Sequence, residues 1–159
     1  MPDLTVTHAT FVIERSYPAA PDRVFAAFAD PALKRRWYVA ERGMRTESFE
    51  MDFRVGGHDR TVSRMSEDTP FPGAAMVNDT VYLDIVAGGR IVFAYTMGIA
   101  DRRISASLVS IELKPGAGGG TEFVFTEQAA FFAGADGPEM RQEGWTGLLD
   151  ELGKALASA

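Results

Sequence analysis

TEFVFTEQAAFFAGADGPEMRQEGWTGLLDELGKAL, residues 121–156, changes its apolar period part-way along. In its first third, Phe123, Phe125, Glu127, Ala129 and Phe131 fall on alternate positions, the period of a strand that shows one face to a core. Beyond Asp136 the period lengthens: Trp145, Leu148, Leu149, Leu152 and Leu156 fall at helical spacing, a stripe of about three turns that requires an apolar partner surface. Pro138 suits an early helical position, and Glu139 follows Asp136 by three residues as in a capping box. A strand that runs straight into a long amphipathic helix predicts that the helix folds back onto the sheet. Gly144, Gly147 and Gly153 each cost that helix about 1 kcal/mol relative to alanine. Either a close approach to the sheet or room for a ligand would offset the cost.

Upstream, the segment from Thr46 to Phe132 reads as strand after strand, broken at residues 55–57, 69–73, 87–89, 100–101 and 116–120. Those breaks delineate six strands. In RIVFAYTMG, residues 90–98, Ile91, Phe93, Tyr95 and Met97 share one face. Short connections predict an antiparallel meander. Residues 116–120 read as a hairpin loop and not as a phosphate cradle, since a strand follows and no Lys-Ser or Lys-Thr is present. The β-branched and aromatic run from Thr7 to Tyr17 makes a first strand. Pro21 and the pair Asp30-Pro31 then start two short helices, with Val24, Phe25 and Phe28 on one apolar stripe, Leu33 and Trp37 on the next, and Lys34, Arg35 and Arg36 on an exposed face.

The chain has 159 residues, enough to bury a core without staples, and one domain over residues 1–159 is expected. It contains no cysteine and two histidines, which excludes thiolate zinc sites, disulfides, iron–sulfur clusters and a cysteine nucleophile. No metal and no cofactor are expected. A net charge of −6 opposes nucleic-acid binding. No basic, apolar leader and no bilayer-length apolar run is present, so a cytoplasmic location is expected. A homodimer is compatible with all of this.

The order strand, two short helices, six strands, long helix resembles the helix-grip fold of the START-like (SRPBCC) superfamily, an α+β architecture in which a curved, seven-stranded antiparallel sheet wraps a long C-terminal helix. RSYPAAPDRVFAAFADPALKRRWY (residues 15–38) is similar to its N-terminal signature, and FRVGGHDR (53–60) to its Gly-Gly bulge. GRIVFAYTM (89–97), GGGTEFVFTEQAAFF (118–132) and EGWTGLLDELGKAL (143–156) are similar to its later strands and closing helix. Together they resemble the bacterial branch related to the C-terminal domain of the heat-shock-protein-90 ATPase activator, often described as polyketide-cyclase-like. The resemblance implies a cavity between sheet and closing helix.

Glu127 is the informative oddity, because its phase sets it among Phe123, Phe125 and Phe131, where an unpaired carboxylate is costly. Either it is buried with a partner, a raised pKa or a wet cavity, or a bulge near Gln128 turns it outward. His58 and Arg60 share one face of a strand; if that face is the inner one, His58 could act as acid or base and Arg60 could hold a carboxylate. Trp37, His58, Arg60, Phe93, Tyr95, Met97, Phe125, Glu127, Trp145 and Leu149 are the expected pocket residues, with Glu127 and His58 as candidate catalytic groups. The leading expectation is binding of a small, largely apolar molecule. A cyclase- or hydrolase-like enzyme on a polyketide or aromatic substrate is the alternative, and a chaperone- or regulator-binding module the third.

Overall fold

The computed structural model describes residues 2–39, 44–69 and 71–158. Pro70, part of the predicted break at 69–73, lies outside them. Strand β1 (Val6–Tyr17) leads into helices α1 (Pro21–Ala29) and α2 (Pro31–Tyr38). Strands β2 (Met44–Glu50), β3 (His58–Met65), β4 (Ala75–Val86), β5 (Arg90–Ile99), β6 (Arg102–Pro115) and β7 (Thr121–Phe132) follow, and helix α3 (Pro138–Ala157) closes the chain. All pairings are antiparallel, in the order β1-β7-β6-β5-β4-β3-β2. Because β1 and β2 are the two edges, α1 and α2 carry the chain from one edge of the sheet to the other.

The sheet curves around α3, and the extra residues Leu83 in β4 and Ile104 in β6, each unpaired at a register shift, contribute the local bends that bulges give. Between β2 and β3 the chain turns at Gly56, whose φ of 82° suits glycine. A Cβ on Gly57 would stand 2.1 Å from the Asp52 carbonyl oxygen, so no larger residue fits that corner. The corner is bonded to the sheet by Gly56 N–H donating to the Tyr82 carbonyl at 2.8 Å.

On α3, Arg141, Trp145, Leu149, Leu152 and Leu156 face inward, the predicted stripe extended one turn toward the N-terminus by an arginine. The predicted capping box is not formed. Gly137 occupies the N-cap without a side-chain bond, and the Asp136 carboxylate is taken instead by Arg141. The helix glycines separate by location: a Cβ on Gly153 would meet the Tyr17 ring at 3.3 Å, a close approach, while Gly144 is exposed with open space around it. Gly144 therefore makes no room for an interior ligand.

Two corrections concern α2. Lys34 is buried, unlike Arg35 and Arg36, because it lies one turn before Trp37 on the same helix face and Trp37 anchors that face inward. Trp37 itself fills the core between the helices. Its indole N–H donates to the Ala27 carbonyl at 2.9 Å and its ring packs edge-on against Phe28, so it offers no face to a pocket.

Candidate functional site

The inner face of the sheet divides into two halves within single strands. On β6, Ser105 and Ser107 give way to Val109, Ile111 and Leu113; on β5, Tyr95 gives way to Phe93 and Ile91; on β7, Glu127 gives way to Phe125 and Phe123. The apolar half is closed by packing against α1 and α3, with Val109, Ile111, Phe125, Leu149 and Leu152 all fully buried. In the other half polar side chains gather on the inward face, Thr61 and Ser63 on β3, Asn78 and Thr80 on β4, then Tyr95, Ser107 and Glu127, with Met76, Met97, Ala129 and Phe131 among them. Sustained polarity on a buried face is costly unless each group is paired.

One cluster pairs Tyr95, Ser107 and Glu127. The Tyr95 hydroxyl lies 2.8 and 3.0 Å from the two Glu127 carboxylate oxygens, and Ser107 donates to Oε2 at 2.8 Å. Arg141, from the first turn of α3, donates to Glu127 at 3.3 Å, to the Tyr95 oxygen at 3.0 Å and to Ser105 at 2.8 Å. Its Nε and Nη2 form a bidentate pair with Asp136, both at 2.9 Å. The Trp145 indole N–H completes the shell of Tyr95 at 3.2 Å. β7 runs without a register shift, so Glu127 points inward with no exposed surface.

The electrostatics follow from that geometry. Burial raises the Glu127 pKa, and bonds from Ser107, Tyr95 and Arg141 oppose the rise without cancelling it. Burial alone would lower that of Arg141, but the Asp136 hydrogen bond leads the interactions that raise it. The guanidinium is committed to Asp136 by two short bonds and reaches Glu127 by one longer bond, which leaves Glu127 only partly compensated. Stability linked to a group with a raised folded pKa is present at low pH and is lost as pH rises above the ordinary value of 4.5. Glu127→Gln removes that titration. Its melting temperature, minus that of the native chain, is expected to grow between about pH 4 and about pH 7.5, and a difference that stays flat would count against it.

A second cluster lies nearer the β2 edge. Lys34 Nζ sits 3.1 Å from Asp59 Oδ2 and 3.3 Å from the Tyr82 hydroxyl, which itself bonds the same carboxylate oxygen. The backbone N–H of Asp52 donates to Asp59 Oδ1 at 3.2 Å. Burial lowers the Lys34 pKa against the pull of Asp59, and burial followed by the Asp59 charge raises that of Tyr82. Between the clusters stands Tyr38, whose pKa is pushed up to about 12, first by burial and then by the Asp59 charge; Glu127 adds to the effect. Both clusters therefore act on one interior region.

Of the residues anticipated from sequence, Phe93, Tyr95, Phe125, Glu127, Trp145 and Leu149 gather between the sheet and α3, and Met97 lies half-buried beyond Tyr95 on the same face. Phe93, Phe125 and Leu149 belong to the packed apolar half. His58 and Arg60 face the opposite way, exposed on the outer surface, because β3 turns Asp59, Thr61 and Ser63 inward. Neither can act on an interior ligand. Sequence reasoning did not pick out Arg141, Asp59, Tyr38 or Asn78, and it set Lys34 on the exposed face. For Arg141 the signal was its place four residues before Trp145.

Among the described residues no three His, Asp or Glu side chains come together as a metal site, and no helix is long and apolar enough to cross a membrane. Residues 18–157 match the family described as Activator of Hsp90 ATPase homolog 1-like protein. No curated protein matches the chain. Among solved structures, an uncharacterised protein from Rhizobium leguminosarum is 35% identical with a TM-score of 0.89, covering 98% of each chain. A protein from Rhizobium loti is 47% identical with a TM-score of 0.82, covering 95% of this chain and 99% of its own. An AHSA1 protein from Silicibacter pomeroyi, 24% identical with a TM-score of 0.72 over 94% of this chain and 98% of its own, shares the fold. With the family match spanning most of its length and the helix-grip architecture in place, the chain belongs to the Activator of Hsp90 ATPase homolog 1-like family, a bacterial START-like (SRPBCC) branch.

Proposed function

We propose that the chain binds a small amphipathic molecule between the polar half of the inner sheet face and the first turns of α3. The observation that carries this reading is the concentration of buried polar side chains on neighbouring rows of that half, with Thr80, Tyr95 and Ser107 directly in register and Glu127 on the next row opposite Val109, beside the aromatic rings of Tyr38 and Trp145. A fold that needed only stability could fill those positions with aliphatic side chains, as it does one turn of the pleat away. Ligand sites combine apolar walls with a few convergent polar groups, and this half of the interior has both. The packed state of Phe125 and Leu149 shifts the site away from the purely apolar region and makes the ligand amphipathic. Native mass spectrometry against a panel of phenols, fused-ring aromatics and fatty acids is expected to give a saturable one-to-one adduct with at least one class. No saturable adduct from any class would overturn the proposal.

A proton-transfer enzyme is the second reading, favoured by one arrangement: the Glu127 carboxyl, its pKa raised by burial, sits against the Tyr95 hydroxyl. A cyclase- or hydrolase-like step would require substrate within about 3 Å of one of these groups. Unchanged turnover of a bound compound by Glu127→Gln would exclude it.

A further inference from the structure

Asn78 stands on β4 opposite Thr61 of β3 and Met97 of β5, with Met76 and Thr80 two residues away on the same face. Its Oδ1 is buried, and among the described residues it is the buried side-chain polar atom that has no hydrogen-bond partner. A buried acceptor left without a donor is costly, and such groups in native proteins call for a specific explanation. The nearest hydroxyls in the sheet, those of Thr61 and Thr80, make no bond to it, and the tyrosine and serine donors of this face are committed elsewhere. The Tyr95 hydroxyl serves Glu127, as does that of Ser107, and the Tyr82 hydroxyl serves Asp59. Met76 and Met97 have no donor to give, since a thioether is only a weak acceptor. They are instead flexible, polarisable surfaces that pack well against aromatic rings.

Oδ1 is thus an open acceptor that a bound molecule can satisfy. Resting on the ligand-binding reading above, we propose that Asn78 selects for ligands whose aromatic frame carries an O–H or N–H group, with the donor on Oδ1 and the frame against Met76 and Met97. The juxtaposition is specific: one open acceptor amid soft apolar contacts rewards a donor and gives nothing to the same frame without one.

The test uses two probes of nearly equal shape, 1-naphthol and 1-methoxynaphthalene, titrated into the intact chain by calorimetry. The naphthol is expected to bind about tenfold more tightly, the scale of one well-made hydrogen bond. Asn78→Leu should bind both and lose the preference; Asn78→Asp, which keeps an acceptor, should retain it. Equal affinities for the native chain, or a preference for the ether, would overturn the role of Asn78 while leaving ligand binding intact. If neither naphthalene binds, the inference fails for want of its aromatic frame, and the wider panel decides the ligand-binding reading separately. Because the native comparison stands alone, the outcome does not depend on Asn78→Leu folding.

Discussion

Arg141→Met is expected to destabilise the chain by about 3–5 kcal/mol, the cost of removing one partner from a buried ion pair while leaving the other behind. The side chain is 4% exposed and makes five hydrogen bonds to Asp136, Glu127, Tyr95 and Ser105. Methionine fills similar volume, so the loss reports the unpaired groups more than a void. Glu127 is left worst off, with no exposed surface and only hydroxyl donors. Adding Glu127→Gln to Arg141→Met should therefore restore stability, with a coupling of about 1–3 kcal/mol in a double-mutant cycle of urea unfolding. A single-variant loss below about 1 kcal/mol would show that Asp136 and water satisfy the site without the arginine.

That arginine illustrates where sequence reasoning reaches its physical limit. The stripe of Trp145, Leu149, Leu152 and Leu156 was legible because apolar residues at helical spacing can only face a core. A charged residue one turn earlier on the same face ordinarily signals that the helix has left the core, and only tertiary structure reveals that Glu127 and Asp136 wait for it. Glu127 was legible as an anomaly because β7 is long and regular, so its phase carried through. Asn78 was not: a bulge at Tyr82/Asp84 breaks the phase of β4, and the residues around it alternate poorly in polarity. On β3 the spacing tied His58 to Arg60 correctly, but the short polar strand held nothing to say which face was inner. The family resemblance implied the seven-stranded antiparallel sheet and the closing helix, and both are present. It did not disclose that polar side chains gather in one half of the interior, since the sheet hydrogen bonds are the same whatever the inward side chains are.

Leu149→Ala and Leu152→Ala are each expected to cost about 2–5 kcal/mol, the sum of lost burial and the void left by incomplete collapse. Both side chains are fully buried, on the part of α3 that rests on the apolar half of the sheet. Collapse around Leu149 is hindered by its own backbone: its carbonyl accepts the Tyr17 hydroxyl at 2.7 Å, which holds α3 at a fixed distance from β1. One turn further on, Gly153 against the Tyr17 ring fixes the same separation. The helix therefore cannot settle inward to fill the space, and Leu149→Ala should lie toward the upper end of the range. For a domain of this size each kcal/mol lowers the melting temperature by about 2–4 °C, so the shift is large enough for a simple thermal melt. Urea titration should show a lower midpoint with an unchanged slope. The matched control is Val12→Ala, on the outer face of β1 with 49% of its surface exposed, for which less than about 1 kcal/mol is expected. If the two leucine variants melt with the control, α3 is not held by the apolar half of the sheet.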